Sequence, residues 1–320
     1  MKKVIIYILT FMCVIFILPS ICTKRQDLSV SYAETEEAEN TVQEEEETPK
    51  YEYSKYATIK LYHTKTSEVE ELSLDEYLYG VVSSEMPANF EKEALKAQAV
   101  VARTYTLYQI INSNGKHGEA GICDDSTCCQ AWISKDDRMA KWDANEAEAN
   151  WEKIVDAVDS TQGQIITYNG EPIDAFFHSN SGGVTETAAN VWGGTNYPYL
   201  QSVETSGEDG YSQYNSEVEI SKEELIEKLK QKHSDISINF DEQDCIKIIE
   251  YTESGRVKTM KFGNVEIAGT EVRSLLGLKS TNFSFEITEN SIKFFVIGYG
   301  HGVGMSQTGA DSMAKSREKF

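Results

Sequence analysis

The chain reads as an α+β protein, and three observations carry that reading. Leu95, Ala99, Ala102 and Thr106 recur every three or four residues, the period of a helix with one buried face. The last third of the chain breaks into short alternating stretches. Helices fall between hairpin-like turns instead of alternating one for one with strands, and no internal repeat is present.

Ala57 to Tyr62 has strand character, and the stretch that organises the chain, Leu74 to Tyr108, follows it. Tyr77, Leu78, Val81 and Val82 form an apolar patch, and Met86-Pro87 directly after Glu85 prevents the backbone from simply continuing as helix. Asn89 reads as an N-cap, with Glu91 and Glu93 in the first turn and strong helix formers from Ala94 onward. Glu85 is therefore expected on a rigid turn at the mouth of a long helix, with Lys96, Gln98 and Arg103 projecting from that helix's polar face. A second helix is expected over Glu146 to Thr161. A strand from Gln164 to Tyr168, a turn at Asn169-Gly170 and a strand from Ile173 to His178 come next. Ser221, with Glu224 three residues later, opens a helix from Lys222 to Lys232 as a capping box. Strands are expected over Cys245 to Tyr251, Val257 to Phe262, Asn282 to Ile287 and Ser291 to Ile297, with a brief helix near Thr270 to Leu275.

The N-terminus sets the domain organisation. Lys2 and Lys3 precede a charge-free apolar run from Val4 to Cys22, and Lys24 and Arg25 follow at once. That run is long enough to span a bilayer. A cleaved signal peptide and a lipoprotein signal compete with a retained anchor, but no small-x-small site closes the run and Pro19-Ser20-Ile21 before Cys22 is a poor lipobox. Residues 1–25 are thus expected to form a transmembrane anchor in the cell membrane. Residues 26–50, with nine acidic side chains against one lysine, form an acidic disordered linker, and residues 51–320 a folded extracytoplasmic domain. The chain's net charge is −22; with the plus 4 of residues 1–25 and the minus 8 of residues 26–50 set aside, the domain keeps −18. Such a charge argues against nucleic acid or anionic lipid as its main ligand.

His117, Cys123, Cys128 and Cys129 bring together the donor types of a structural zinc site, and a disulfide from Cys123 to one of the adjacent pair is the competing use of those thiols. Zinc also accounts for His117 and for the odd thiol. Cys245 reads as core.

The block Tyr77-Leu78-Tyr79-Gly80-Val81-Val82-Ser83-Ser84-Glu85-Met86-Pro87, followed by Ala94 to Tyr105, resembles the signature of the stage II sporulation protein D family, which includes amidase enhancers. Two later stretches extend the resemblance. These are Phe176 to Gly183 with Thr185 and Glu186, similar to an H-S-x-x-G-G block, and Gly298 to Ala310, similar to G-x-G-H-G-V-G-M-S-Q-x-G-A. Arg273 and Leu275 to Ser280 match the segment between them, whereas the chain stops at Phe320 where family members continue through a further helix.

The resemblance implies lytic transglycosylation of peptidoglycan during engulfment in an endospore former. The bond from N-acetylmuramic acid to N-acetylglucosamine in strands stripped of stem peptides would be cleaved with closure of a 1,6-anhydro ring. The implied partners are the glycan strands, a cell-wall amidase of the engulfment machinery and that amidase's membrane anchor protein. The other function it allows is a non-catalytic, glycan-binding enhancer of the amidase. On the enzyme reading Glu85 is the acid, its pKa raised by Val82, Met86 and Phe90. Lys96 and Arg103 are expected on the lactyl carboxylate of the muramic acid. Gln98, Tyr105, His178, Ser179, Ser181, Trp192, His301, Ser306 and Gln307 complete the expected substrate-binding set, with Trp192 the candidate sugar platform.

Overall fold

Residues 53–194 and 197–316 are described by a computed structural model. The expected anchor and acidic linker lie outside these residues, and among the described residues no helix is long and apolar enough to cross a membrane.

Strand β1 (Thr58–His63) pairs antiparallel with β2 (Glu68–Ser73), whose last residue caps helix α1 (Leu74–Glu85). Ser73 Oγ accepts from the Glu76 amide at 3.2 Å, while the Glu76 carboxylate accepts from the Ser73 amide at 3.1 Å. This reciprocal capping box satisfies two N-terminal donors that would otherwise lack helical partners. The helix buries Tyr77, Leu78, Val81 and Val82 completely and ends where Pro87 forces Met86 into extended backbone, φ −125° and ψ 136°.

Helix α2 (Lys92–Asn112) begins later than Asn89 would have it. Pro87 to Phe90 closes a turn, with the Phe90 amide donating to the Pro87 carbonyl, so Asn89 is an exposed turn residue. The Asp311 carboxylate supplies the cap instead, accepting from the Glu91 amide at 2.6 Å. Lys153 fixes the same turn by donating to the carbonyls of Ala88 and Phe90.

Then come β3 (Ile122–Cys123), parallel to β1, α3 (Lys135–Met139) and α4 (Ala147–Asp159), which packs on α1 and α2 through Ile154, Ala157 and Val158. The expected Asn169-Gly170 hairpin forms with both residues at positive φ, but its ladder is shorter than the sequence suggests. It consists of β4 (Thr167–Tyr168) and β5 (Glu171–Pro172), while β6 (Phe177–His178) pairs elsewhere. Helix α5 (Ala188–Trp192) follows.

The later residues match their sequence patterns closely. They form β7 (Asn215–Ser221), α6 (Lys222–Lys230), β8 (Ile246–Tyr251), β9 (Val257–Phe262), β10 (Val265–Ala268), α7 (Gly269–Leu276), β11 (Phe283–Ile287) and β12 (Ser291–Ile297). Two antiparallel three-stranded sheets, in the orders β10-β9-β8 and β11-β12-β7, bury Met260, Phe262, Ile292 and Phe294 in a core of their own with α6 and α7. Ser221 Oγ accepts from the Glu224 amide, as the expected cap requires. Finally β13 (Met305–Ser306) pairs parallel with β6, and α8 (Gln307–Lys315) packs against α2. Gly304, at φ 74°, lies against the Phe176 carbonyl where a Cβ would collide, so the last glycine-rich loop can lie flat on β6 only with glycine there. The described residues belong to one compact unit.

Candidate active site

A cavity of about 280 Å³ opens where α1 ends. Its walls include Ser83, Ser84, Glu85, Met86, Pro87, Phe90, Arg138, Trp142, Ser179, Gln213, Gln307 and Thr308. Glu85 is the C-terminal residue of α1, and its Oε1 accepts the Ala131 amide at 2.7 Å. Burial raises its pKa above the ordinary carboxylate value, and the Ala131 amide opposes that shift only partly. No cation contributes, so the acid is biased towards its protonated form.

Of the expected substrate-binding residues, Ser179 and Gln307 share this cavity with Glu85. Gln98 is buried beside it and accepts from Gln307 Nε2 at 3.2 Å, which makes it a support for that side chain. Tyr105 is buried against Phe176. Lys96 pairs with Glu93 at 2.8 Å and does not line the cavity.

Arg103 corrects the sequence reading. It is fully buried, donates to the carbonyls of Val158 and Gln164 and to Thr161 Oγ1, and lies 3.9 Å from Asp75. A guanidinium closed off in this way ties α2 to the end of α4 and cannot meet a glycan carboxylate. Arg103→Leu is expected to destabilise the fold by about 3 kcal/mol by orphaning those carbonyls, measured as a lower urea midpoint.

The two histidines and the tryptophan form a separate cluster. Trp192, half exposed, lies 4.6 Å from the Phe176 ring and 5.1 Å from His301. His178 Nδ1 is 3.1 Å from the Val303 carbonyl, to which it donates as the Nδ1–H tautomer, and His301 Nδ1 accepts from the Val303 amide at 3.0 Å. Burial pushes His178 down to about 3 and His301 to about 4, so both are neutral near pH 7. Neither lines the Glu85 cavity.

Ser181 and Ser306 are bound to a carboxylate that sequence reasoning missed. Glu208, only 2% exposed, takes six donors: Ser181 N and Oγ, Gly183 N, Thr205 Oγ1, Ser306 Oγ and Thr308 Oγ1. Burial alone would raise its pKa, but those hydrogen bonds outweigh it and hold the carboxylate at about 2. One acid among many in an acidic chain, it carries no sequence signal. Arg138 and Gln213 escaped for a similar reason, since neither falls in a glycine-rich or otherwise marked block.

The metal candidates do converge. One ligand atom from each of His117, Cys123, Cys128 and Cys129 lies within 4.8 Å of all the others. His117 Nε2 is 3.5 Å from Cys128 Sγ and 3.6 Å from Cys129 Sγ, and all three cysteines are free thiols. The spacing and the nitrogen–sulfur donor set fit a tetrahedral zinc ion. Two residues after Cys129 comes Ala131, whose amide holds Glu85, and between them buried Gln130 donates to Tyr77 Oη and Thr106 Oγ1.

Residues 62–168 match the family described as Stage II sporulation protein, and residues 204–304 match a domain of unknown function (DUF8618). The stage II sporulation protein D of Bacillus subtilis (strain 168) is 37% identical over 260 residues, which span 81% of this chain and 73% of that protein. Its counterpart from Bacillus amyloliquefaciens is 36% identical over the same shares. The Bacillus subtilis (strain 168) protein named amidase enhancer is 27% identical over 76% of this chain and 38% of its own length. With Glu85, Ser179 and Gln307, each from a different motif of that family, brought to one cavity, the chain belongs to the stage II sporulation protein D family.

Proposed function

We propose that the protein is a lytic transglycosylase of peptidoglycan that cuts denuded glycan strands during engulfment. The observation that carries this reading is a cavity lined, among the described residues, by a single carboxyl group whose pKa burial raises. Hydrolytic glycosidases use two carboxyl groups, one as acid and one as nucleophile or base. An intramolecular transfer manages with one. Glu85 donates its proton to the oxygen linking C1 of N-acetylmuramic acid to O4 of N-acetylglucosamine, and that bond breaks. The resulting carboxylate then takes the proton of the muramic acid's own 6-hydroxyl as O6 bonds to C1. This closes the 1,6-anhydro ring, consumes no water and restores the acid.

Denuded strands incubated with the full chain, with no amidase present, are expected to yield 1,6-anhydro products by mass spectrometry, and Glu85→Gln is expected to yield none. The relative named amidase enhancer supports a second reading, in which the chain holds glycan and stimulates an amidase. Intact strands that nonetheless co-sediment with the protein would favour that reading. In either case the apolar run Val4 to Cys22 is proposed as a membrane anchor, with the domain extracytoplasmic and a cell-wall amidase and its own membrane anchor protein as partners.

His117, Cys123, Cys128 and Cys129 are proposed to hold one structural zinc, with no open position for chemistry. It would fix the segment whose Ala131 amide orients Glu85. Elemental analysis is expected to find one equivalent per chain. Chelation or Cys128→Ser is expected to lower the thermal midpoint by roughly 5–10 °C. Loss of two titratable thiols without metal would instead indicate the disulfide.

A further inference from the structure

We propose that Arg138 selects strands whose lactyl groups are free carboxylates, an assignment that rests on the glycan reading of the Glu85 cavity. Among the described residues, Glu85 and Arg138 are the only charged side chains in its walls. Arg138, on α3, has no carboxylate within 4 Å among the described residues. Its Nη2 donates to the Ser83 carbonyl and its guanidinium lies 5.2 Å from the centre of the Trp142 ring. Its Nε is buried without a partner, and no bond from Nη1 is present among the described residues. The fork is thus oriented by a carbonyl and an aromatic face while Nη1, which is not sealed as Nε is, has its donors open to an acceptor, a setting suited to a carboxylate.

The neighbouring cations are otherwise engaged. Lys92 pairs with Asp156, Lys96 with Glu93, Lys153 donates to the carbonyls of Ala88 and Phe90, and Arg103 is sealed between helices. In a domain with net charge −18, an anionic strand needs a local cation, and Arg138 is the one that shares the cavity with the acid.

N-acetylmuramic acid differs from N-acetylglucosamine by its 3-O-lactyl group. That group is a carboxylate on a denuded strand and a neutral amide where a stem peptide is attached. The sugar that presents C1 to Glu85 carries this group itself, so acid and reader act on one ring. Arg138 does so without depressing Glu85, whose pKa is governed by burial and the Ala131 amide.

The test measures binding rather than turnover, with the full chain purified without chelator and carrying Glu85→Gln. One probe is a denuded muramyl tetrasaccharide with free lactyl carboxylates; the other is the same tetrasaccharide with those groups converted to N-methylamides. The free acid is expected to bind about tenfold to a hundredfold more tightly. Adding Arg138→Gln should erase that difference by weakening the free acid far more than the amide, and Arg138→Lys should restore part of it. Equal binding of the two probes with Arg138 in place would overturn the assignment, as would an equal loss for both in Arg138→Gln. Anhydro products from the unmodified chain report separately on catalysis, so absent products with an intact carboxylate preference would count against the enzyme and not against Arg138.

Discussion

Glu85→Gln is expected to lower the rate of anhydro-product formation by about a thousandfold or more, at the upper end of what a positioned general acid contributes. Gln keeps the size of the side chain and an oxygen for the Ala131 amide, which Glu85 now accepts at 2.7 Å, so the cavity should survive while its proton does not. The pH dependence follows from burial. The active form is the protonated acid and its folded pKa is raised, so activity should be high below that pKa and fall as pH rises through it. Stability runs the same way. An acid whose folded pKa lies above its unfolded value favours unfolding once the unfolded chain ionises, so the fold loses stability as pH rises between the two values. Glu85→Gln removes that penalty. The variant should therefore be inactive yet melt at a higher temperature than the unmodified chain at pH 7. An inactive variant that melts lower would point to a structural role for Glu85, and one that still forms anhydro product would remove it as the acid.

The sequence was most legible where structure is local. Val257 to Phe262 and Ser291 to Ile297 alternate in a way that only a half-buried strand satisfies, and both appear with those bounds. Ser221 carries its cap in the next three residues, and Asn169-Gly170 carries its turn in two adjacent positive φ values. Legibility failed where the partner is remote or is a backbone group. Asn89 has the chemistry of a cap, yet Asp311, 220 residues away from Glu91, takes the position. Arg103 looks like a ligand because it sits in a motif, but its acceptors are carbonyls at the end of α4, and a carbonyl leaves no mark in a sequence. Ser181 and Ser306 were singled out as substrate contacts when what unites them is Glu208. Three motif residues, Glu85, Ser179 and Gln307, meet in one cavity, but motif membership did not distinguish residues that face the cavity from those that hold its walls.

Glu208 is the wall whose removal should cost most after Glu85. Its six donors come from three separate stretches, Ser181 with Gly183, Thr205, and Ser306 with Thr308, and Thr308 also lines the Glu85 cavity. Glu208→Ala would leave buried hydroxyls and amides without an acceptor, each worth roughly 1–3 kcal/mol, partly recovered by rearrangement, for a net loss of about 4 kcal/mol. Glu208→Gln keeps one acceptor oxygen but points an amide donor into a ring of donors, with an expected loss of about 2–3 kcal/mol. The carboxylate's pKa of about 2 makes the argument testable by pH. A depressed acid stabilises the fold above its unfolded value, near 4.3, and that contribution disappears as pH falls towards about 2. Urea midpoints of the unmodified chain should therefore drop steeply between about pH 5 and pH 2.5. In Glu208→Gln the same curve should start lower and be flatter, with the two curves converging at the acid end. Parallel curves would mean that the carboxylate is not held in its charged form by these hydroxyls. Because Ser181 and Ser306 stand two residues and one residue from the cavity-lining Ser179 and Gln307, the rate of anhydro-product formation should fall with stability in Glu208→Ala, while the pKa of the alkaline limb set by Glu85 stays in place.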